Sequence, residues 1–207
     1  MKKKKIVAVA LVILLCALVA AGTAAYDVLV QDYTSNIITT GKIDVVLEEH
    51  FPTGVWGQSG GRWVLEDKAM PGQALSKVVT VFNAAPEDPL QKNSLYTRAY
   101  VTIEISDPAL QEQAEACVLP QYNLTDWFYG GDGWWYYDGI VAPGRESAPL
   151  FEQVMLTGDT PNSFMGKTVT IGIVVQAVQS VNNPAPGQNN AGVRNATGWP
   201  RSEGGLG

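Results

Sequence analysis

The run Lys167–Val181 constrains this chain more than any other stretch. Val169, Ile171, Ile173, Val175 and Ala177 fall at alternate positions, with Thr168, Thr170, Gly172, Val174 and Gln176 between them. Only an extended strand sends alternate side chains to opposite faces, so this run predicts a long strand with one apolar face. Such a strand needs neighbours for its backbone groups and a second layer for its apolar face. Other runs are expected to supply both. Ile43, Val45 and Leu47 alternate with Asp44, Val46 and Glu48. Val79 and Val81 alternate with Val78, Thr80 and Phe82. Thr97, Ala99, Val101, Ile103 and Ile105 alternate with Tyr96, Arg98, Tyr100, Thr102 and Glu104. Trp63–Leu65 and Leu150–Leu156 are weaker strand candidates.

Between these runs stand Gly, Pro, Asn and Asp clusters at Pro52–Gly61, Met70–Gly72, Ala84–Pro89, Val141–Gly144 and Gly158–Asn162, all read as turns. One helix is expected, Pro108–Ala116, opened by Ser106 or Asp107 as a cap and stopped by Pro120. Many short strands without βα alternation predict an all-β fold, a jelly-roll-like antiparallel β-sandwich with one short helix. The aromatic stretch Trp127–Phe151 fits this class as a hairpin, with arms Asn123–Tyr129 and Trp134–Val141. Gly130, Gly131 and Gly133 around Asp132 supply the backbone freedom of its turn. In the second arm Trp134 and Tyr136 oppose Trp135 and Tyr137, so each face carries rings. One face is expected to be core, and the other a ligand platform or subunit contact.

The two ends differ from this middle. Residues 1–25 read as a cleaved export signal, with the positive Lys2–Lys5, the apolar run Ile6–Ala21 and the small residues Gly22-Thr23-Ala24-Ala25. Cleavage is expected after Ala25, leaving Tyr26 first, with Thr23 and Ala25 in the recognition positions. Removing four lysines and no acid leaves ten basic against 20 acidic residues. Nucleic acid is thereby excluded as an expected partner, since binding it rests on neutralising phosphates with Lys and Arg. Cys117 is then the single cysteine, so the domain spanning 26–181 must be held by its core. Residues 182–207 are rich in Asn, Gly and Pro and are expected to be a flexible tail, with Trp199 as the residue suited to dock back.

In order along the chain come Gly22-Thr23-Ala24-Ala25-Tyr26, Ser35-Asn36, Thr40-Gly41-Lys42-Ile43-Asp44, Pro71-Gly72 before Lys77-Val78-Val79-Thr80-Val81-Phe82-Asn83, and Leu95–Val101. Trp135-Tyr136-Tyr137, Pro143-Gly144, Leu150-Phe151, Ala177-Val178-Gln179 and Gly198-Trp199 follow. This series resembles a family of Gram-positive exported proteins processed by the alternate signal peptidase SipW, the family of TasA and camelysin. The resemblance implies a jelly-roll sandwich, export to the cell surface or extracellular matrix, and an often fibre-forming structural role with self-association or other matrix proteins as partners. It also implies the alternate signal peptidase as a processing partner.

Candidate chemistry is sparse. Camelysin is described as a metallopeptidase, but this chain has no His-Glu-x-x-His pair and only one histidine, His50. A catalytic zinc normally takes three protein ligands, and His50 with Glu48 or Glu49 does not make such a set. A Gly-x-Ser-x-Gly spacing occurs at Gly57-Gln58-Ser59-Gly60-Gly61, but it falls within the Pro52–Gly61 turn region and not at the strand-to-helix turn that a nucleophile elbow requires. Asp132 and Asp138 lack the dense acidic spacing of a calcium loop and are expected to form turns. The sequence therefore predicts no enzyme, no catalytic residues, no metal and no cofactor. Two functions are expected to compete. One is a self-assembling structural protein; the other is a carbohydrate-binding module for cell-wall polysaccharide, in which Trp127, Trp134 and Tyr136 form the interaction surface.

Overall fold

Eleven strands organise the computed structural model, which describes residues 27–30, 45–50, 56–59, 62–65, 69–84, 94–181, 183 and 191–200. They are β1 (Asp27–Val30), β2 (Val45–His50), β3 (Trp56–Ser59), β4 (Arg62–Leu65), β5 (Ala74–Asn83), β6 (Leu95–Ile105), β7 (Val118–Tyr122), β8 (Trp127–Tyr129), β9 (Trp135–Tyr137), β10 (Phe151–Leu156) and β11 (Thr168–Gln179). Among the described residues two α-helices accompany them, α1 (Gln111–Cys117) and the single turn α2 (Ala191–Arg194). The export segment, with Thr23, Ala25 and Tyr26, lies outside the described residues.

The expected all-β sandwich is present. A seven-stranded sheet runs in the order β3-β4-β1-β11-β6-β9-β8, and a four-stranded sheet in the order β2-β5-β10-β7. After β1 the chain crosses to the small sheet for β2, returns for β3 and β4, and keeps alternating until β11. This alternation gives the sandwich its jelly-roll character. The long antiparallel pair of β11 with β6, from Val169 opposite Ile105 to Gln179 opposite Leu95, is the centre of the large sheet. Between the sheets lies one core. Val169, Ile171, Ile173, Val175 and Ala177 of β11 meet Val79 and Val81 of β5 and Phe151, Val154 and Leu156 of β10.

The strand β1 has an unusual place. It runs parallel to β11, with Asp27 opposite Thr168 and Val30 opposite Ile171, while Leu29 pairs antiparallel with Val64 of β4. It therefore occupies a slot between two strands that do not pair with each other.

Several boundaries differ from expectation. The Pro52–Gly61 turn region contains β3, which pairs with β4 from Trp56 opposite Leu65 to Ser59 opposite Arg62. Pro120 does not stop the helix: the chain turns extended at Val118, and Pro120 lies inside β7, at the sheet edge where a missing N–H costs no ladder bond. Asp107 caps the 3-10 turn Pro108–Leu110 that leads into α1, its Oδ1 accepting from the Ala109 N–H at 3.2 Å. Within the expected flexible tail, residues 191–200 are folded against the large sheet, with Val193 and Ala196 buried. Among the described residues no helix is long and apolar enough to cross a membrane.

Candidate functional site

The aromatic hairpin forms with shorter arms than the expected Asn123–Tyr129 and Trp134–Val141, pairing Trp127 with Tyr137, Phe128 with Tyr136 and Tyr129 with Trp135. Its turn closes through Gly130 N–H to the Trp134 carbonyl at 2.8 Å, and Asp132 Oδ1 accepts from the Trp134 N–H at 3.2 Å. Gly133 adopts φ +89°, and a Cβ there would approach the Tyr100 ring to 2.7 Å. Both conformational freedom and the close ring approach thus require glycine at this position.

Both faces of the hairpin pack against other parts of the protein, with Tyr129 left exposed next to the turn. On the inner face Trp127 is buried in the sandwich core and donates its Nε1–H to the Ala148 carbonyl at 3.0 Å. Trp135 stacks on Tyr122 with ring centroids 3.9 Å apart, and burial pushes the Tyr122 phenol up to about 12. On the outer face Trp134 and Tyr136 join Tyr96, Val178, Val193 and Ala196 in a second buried cluster, packed by Tyr100, Phe128 and Trp199.

At the centre of that outer cluster stands Arg98, which is 6% exposed. Cross-strand register places it between Gln176 of β11 and Tyr136 of β9. Its Nε and Nη2 donate to Gln176 Oε1 at 2.9 and 2.6 Å, Nη1 donates to the Tyr136 hydroxyl at 3.0 Å, and Nη2 also reaches the Pro200 carbonyl at 2.9 Å. The guanidinium carbon lies 4.3 Å from the centroid of a Trp134 ring and 4.8 Å from that of Trp199. Rings on both sides and neutral oxygens at its edge offset the lost hydration of this cation. Tyr136 passes the network on, donating to Asp132 Oδ2 at 2.8 Å, and Arg194 of α2 reaches the same oxygen at 3.6 Å. Burial raises the Tyr136 phenol above its ordinary value; the Arg98 hydrogen bond opposes this and Asp132 adds to it.

Residues 191–200 complete the site. Trp199 packs edge-on against Tyr136 at 5.8 Å and donates its Nε1–H to the Val193 carbonyl at 3.1 Å. Asn183 holds Thr197 through its Oδ1, which accepts from the Thr197 N–H at 2.8 Å, and through its Nδ2, which donates to the Thr197 carbonyl at 2.8 Å.

This geometry corrects the expected interaction surface. Trp127, Trp134 and Tyr136 are 1%, 8% and 1% exposed, and Trp127 lies on the opposite face of the hairpin from the other two. They form no common platform, and none presents an open face on which a sugar could stack. Arg98 and Gln176 were the residues to find. Their signal in the sequence is two long polar side chains on the outward positions of the two strongest strands.

Other candidate groups stand apart. His50 Nε2 lies 3.2 Å from Glu146 Oε2, and the Thr80 hydroxyl donates to the same oxygen at 2.7 Å. Because Glu146 separates them, the histidine does not contact the hydroxyl and no nucleophile–base pair arises. No group of three or more His, Cys, Asp or Glu that could hold a metal ion occurs among the described residues. Cys117 ends α1, partly buried. Comparison of the chain with protein-family models, with curated proteins and with solved structures gives no match.

Proposed function

We propose that this protein is an exported structural subunit of the cell surface or extracellular matrix that self-associates by strand exchange. The observation that carries the reading is the slot between β11 and β4. A short strand lying directly after the expected cleavage junction fills it in parallel with β11. Without that strand β11 and β4 would each present an open edge of unpaired backbone groups. The same slot can be filled by the equivalent strand of a neighbour, which supplies main-chain hydrogen bonds in the same register. Donation from subunit to subunit does not close on itself, so it generates fibres. The resemblance to SipW-processed matrix proteins supports the same reading. The alternate signal peptidase is the proposed processing partner, and further copies of this chain or other matrix proteins are the proposed structural ones.

Deletion of residues 26–32 from the processed protein tests it. The truncated protein is expected to keep β-rich circular dichroism and to lose sedimentable assemblies, and a synthetic peptide of residues 26–34 should bind it. Persistent polymerisation of the truncated protein would overturn strand exchange, and so would failure of the folded protein to bind the peptide.

A further inference from the structure

Glu49 and Lys77 interrupt two apolar stripes at the same place. Val45 and Leu47 of β2 turn toward the core, and Glu49 is next on that face; Leu75, Val79 and Val81 of β5 line the core with Lys77 among them. Glu49 is registered opposite Val79, so Lys77, two residues along β5, is its diagonal neighbour on the inward face. Lys77 Nζ and Glu49 Oε1 are in direct contact, and the two side chains are 0% and 3% exposed.

A fully buried ion pair is a costly arrangement, because each charge loses its hydration on entering an apolar layer. The same burial disfavours both charged forms. Proton transfer from ammonium to carboxylate gives a neutral amine against a carboxylic acid, which are the reactive forms. The register of β2 and β5 has already removed the orientational freedom of the two groups. Fixed geometries of this kind correspond to effective molarities of roughly 10⁵–10⁸ M.

We propose that Lys77 and Glu49 form a self-modification site and become joined by an amide between Nζ and Cδ, a covalent staple from β2 to β5. The Nζ lone pair attacks Cδ and a C–N bond forms. One C–O bond of Glu49 breaks, and that oxygen leaves as water with the carboxylic proton and one proton from the nitrogen. No oxidant or reductant is needed, and the proton passed from nitrogen to the departing oxygen lets it leave as water. The neutral product removes both buried charges and gives an exported domain the cross-link that a single cysteine at 117 cannot provide within one chain.

Intact mass spectrometry of the folded wild-type protein, referenced to its own termini, tests this without any variant. The expected mass is lower than that of the sequence by one water, with a branched proteolytic fragment joining the segments around residues 49 and 77. The double variant Glu49→Leu/Lys77→Met, which keeps the core filled, should show the full sequence mass. A folded wild-type protein at full mass would overturn the proposal and leave an ion pair only. A lost water that maps elsewhere, such as to an Asp132-Gly133 or Asp138-Gly139 succinimide, would overturn it equally.

Discussion

Among the described residues two basic side chains are buried, and they are accommodated in opposite ways. Lys77 sits between the sheets with a carboxyl group against its nitrogen. Arg98 sits beneath the C-terminal segment, where its hydrogen bonds go to neutral oxygens of Gln176, Tyr136 and Pro200 and its faces go to Trp134 and Trp199. The difference follows from the two head groups. An ammonium is a compact, strongly hydrated point charge that needs a full countercharge or must become neutral when buried. A guanidinium is planar, weakly hydrated and always charged, and it can be held by a fork of acceptors and by rings. The sandwich interior thus tolerates a lysine only in combination with Glu49, whereas the outer face holds an arginine only because residues 191–200 close over it.

Removing each basic side chain should break this comparison most visibly. Lys77→Ala takes the buried nitrogen away from the Glu49 carboxyl and is expected to destabilise by about 3–5 kcal/mol, read as a lower urea midpoint. Arg98→Met leaves Gln176 and the Pro200 carbonyl without their donor and is expected to lose about 2–3 kcal/mol. If Arg98→Met proved the costlier of the two, the inner pair would not be the more demanding arrangement.

Trp199→Ala sharpens the contrast on the outer face alone. It removes one ring from Arg98 and one edge contact from Tyr136, and about 1–2 kcal/mol should be lost. Amides of residues 191–200 should exchange faster while those in the β5 strand keep their protection. Uniform loss of protection would mean that the segment belongs to the core's cooperative unit.

The exposed pair of His50 and Glu146 provides the smallest effect and the baseline. The Thr80 hydroxyl, and after it His50, hold the Glu146 carboxyl below its ordinary 4.5. A lowered carboxyl contributes stability that is present above 4.5 and is lost as the pH falls through the folded value. With both partners substantially exposed, the contribution should stay under about 1 kcal/mol. Glu146→Gln should flatten the acid limb of a stability–pH curve slightly and leave the neutral region almost unchanged.

What could be read in the sequence depended on periodicity and on punctuation. β11 and β6 were legible because alternation persists for ten or more residues in each, and the hairpin because glycines mark its turn. β3 and β7 were not, since glycine surrounds one and Pro120 interrupts the other. Both are edge strands, where such residues are tolerated. The docking of 191–200 was legible only at Trp199. Val193 and Ala196 are too few to predict burial unless the groove that receives them is already formed. At the site, the rings were evident but their exposure was not, because period-2 alternation separates two faces without saying that both will be covered. Glu49 and Lys77 escaped because a charged residue at an inward position breaks the apolar alternation, Glu49 at the end of β2 and Lys77 within β5.

The parallel pairing of β1 with β11 has a consequence for the order of folding. The first described strand finds its partner in the last long one, and β11 also bridges β1 to β6 at the centre of the large sheet. A chain made from its N-terminus must therefore carry β1 without this partner until nearly all of its length has emerged. Contacts so distant in sequence make assembly slow and late. The topology delays completion of the large sheet until the last long strand is available.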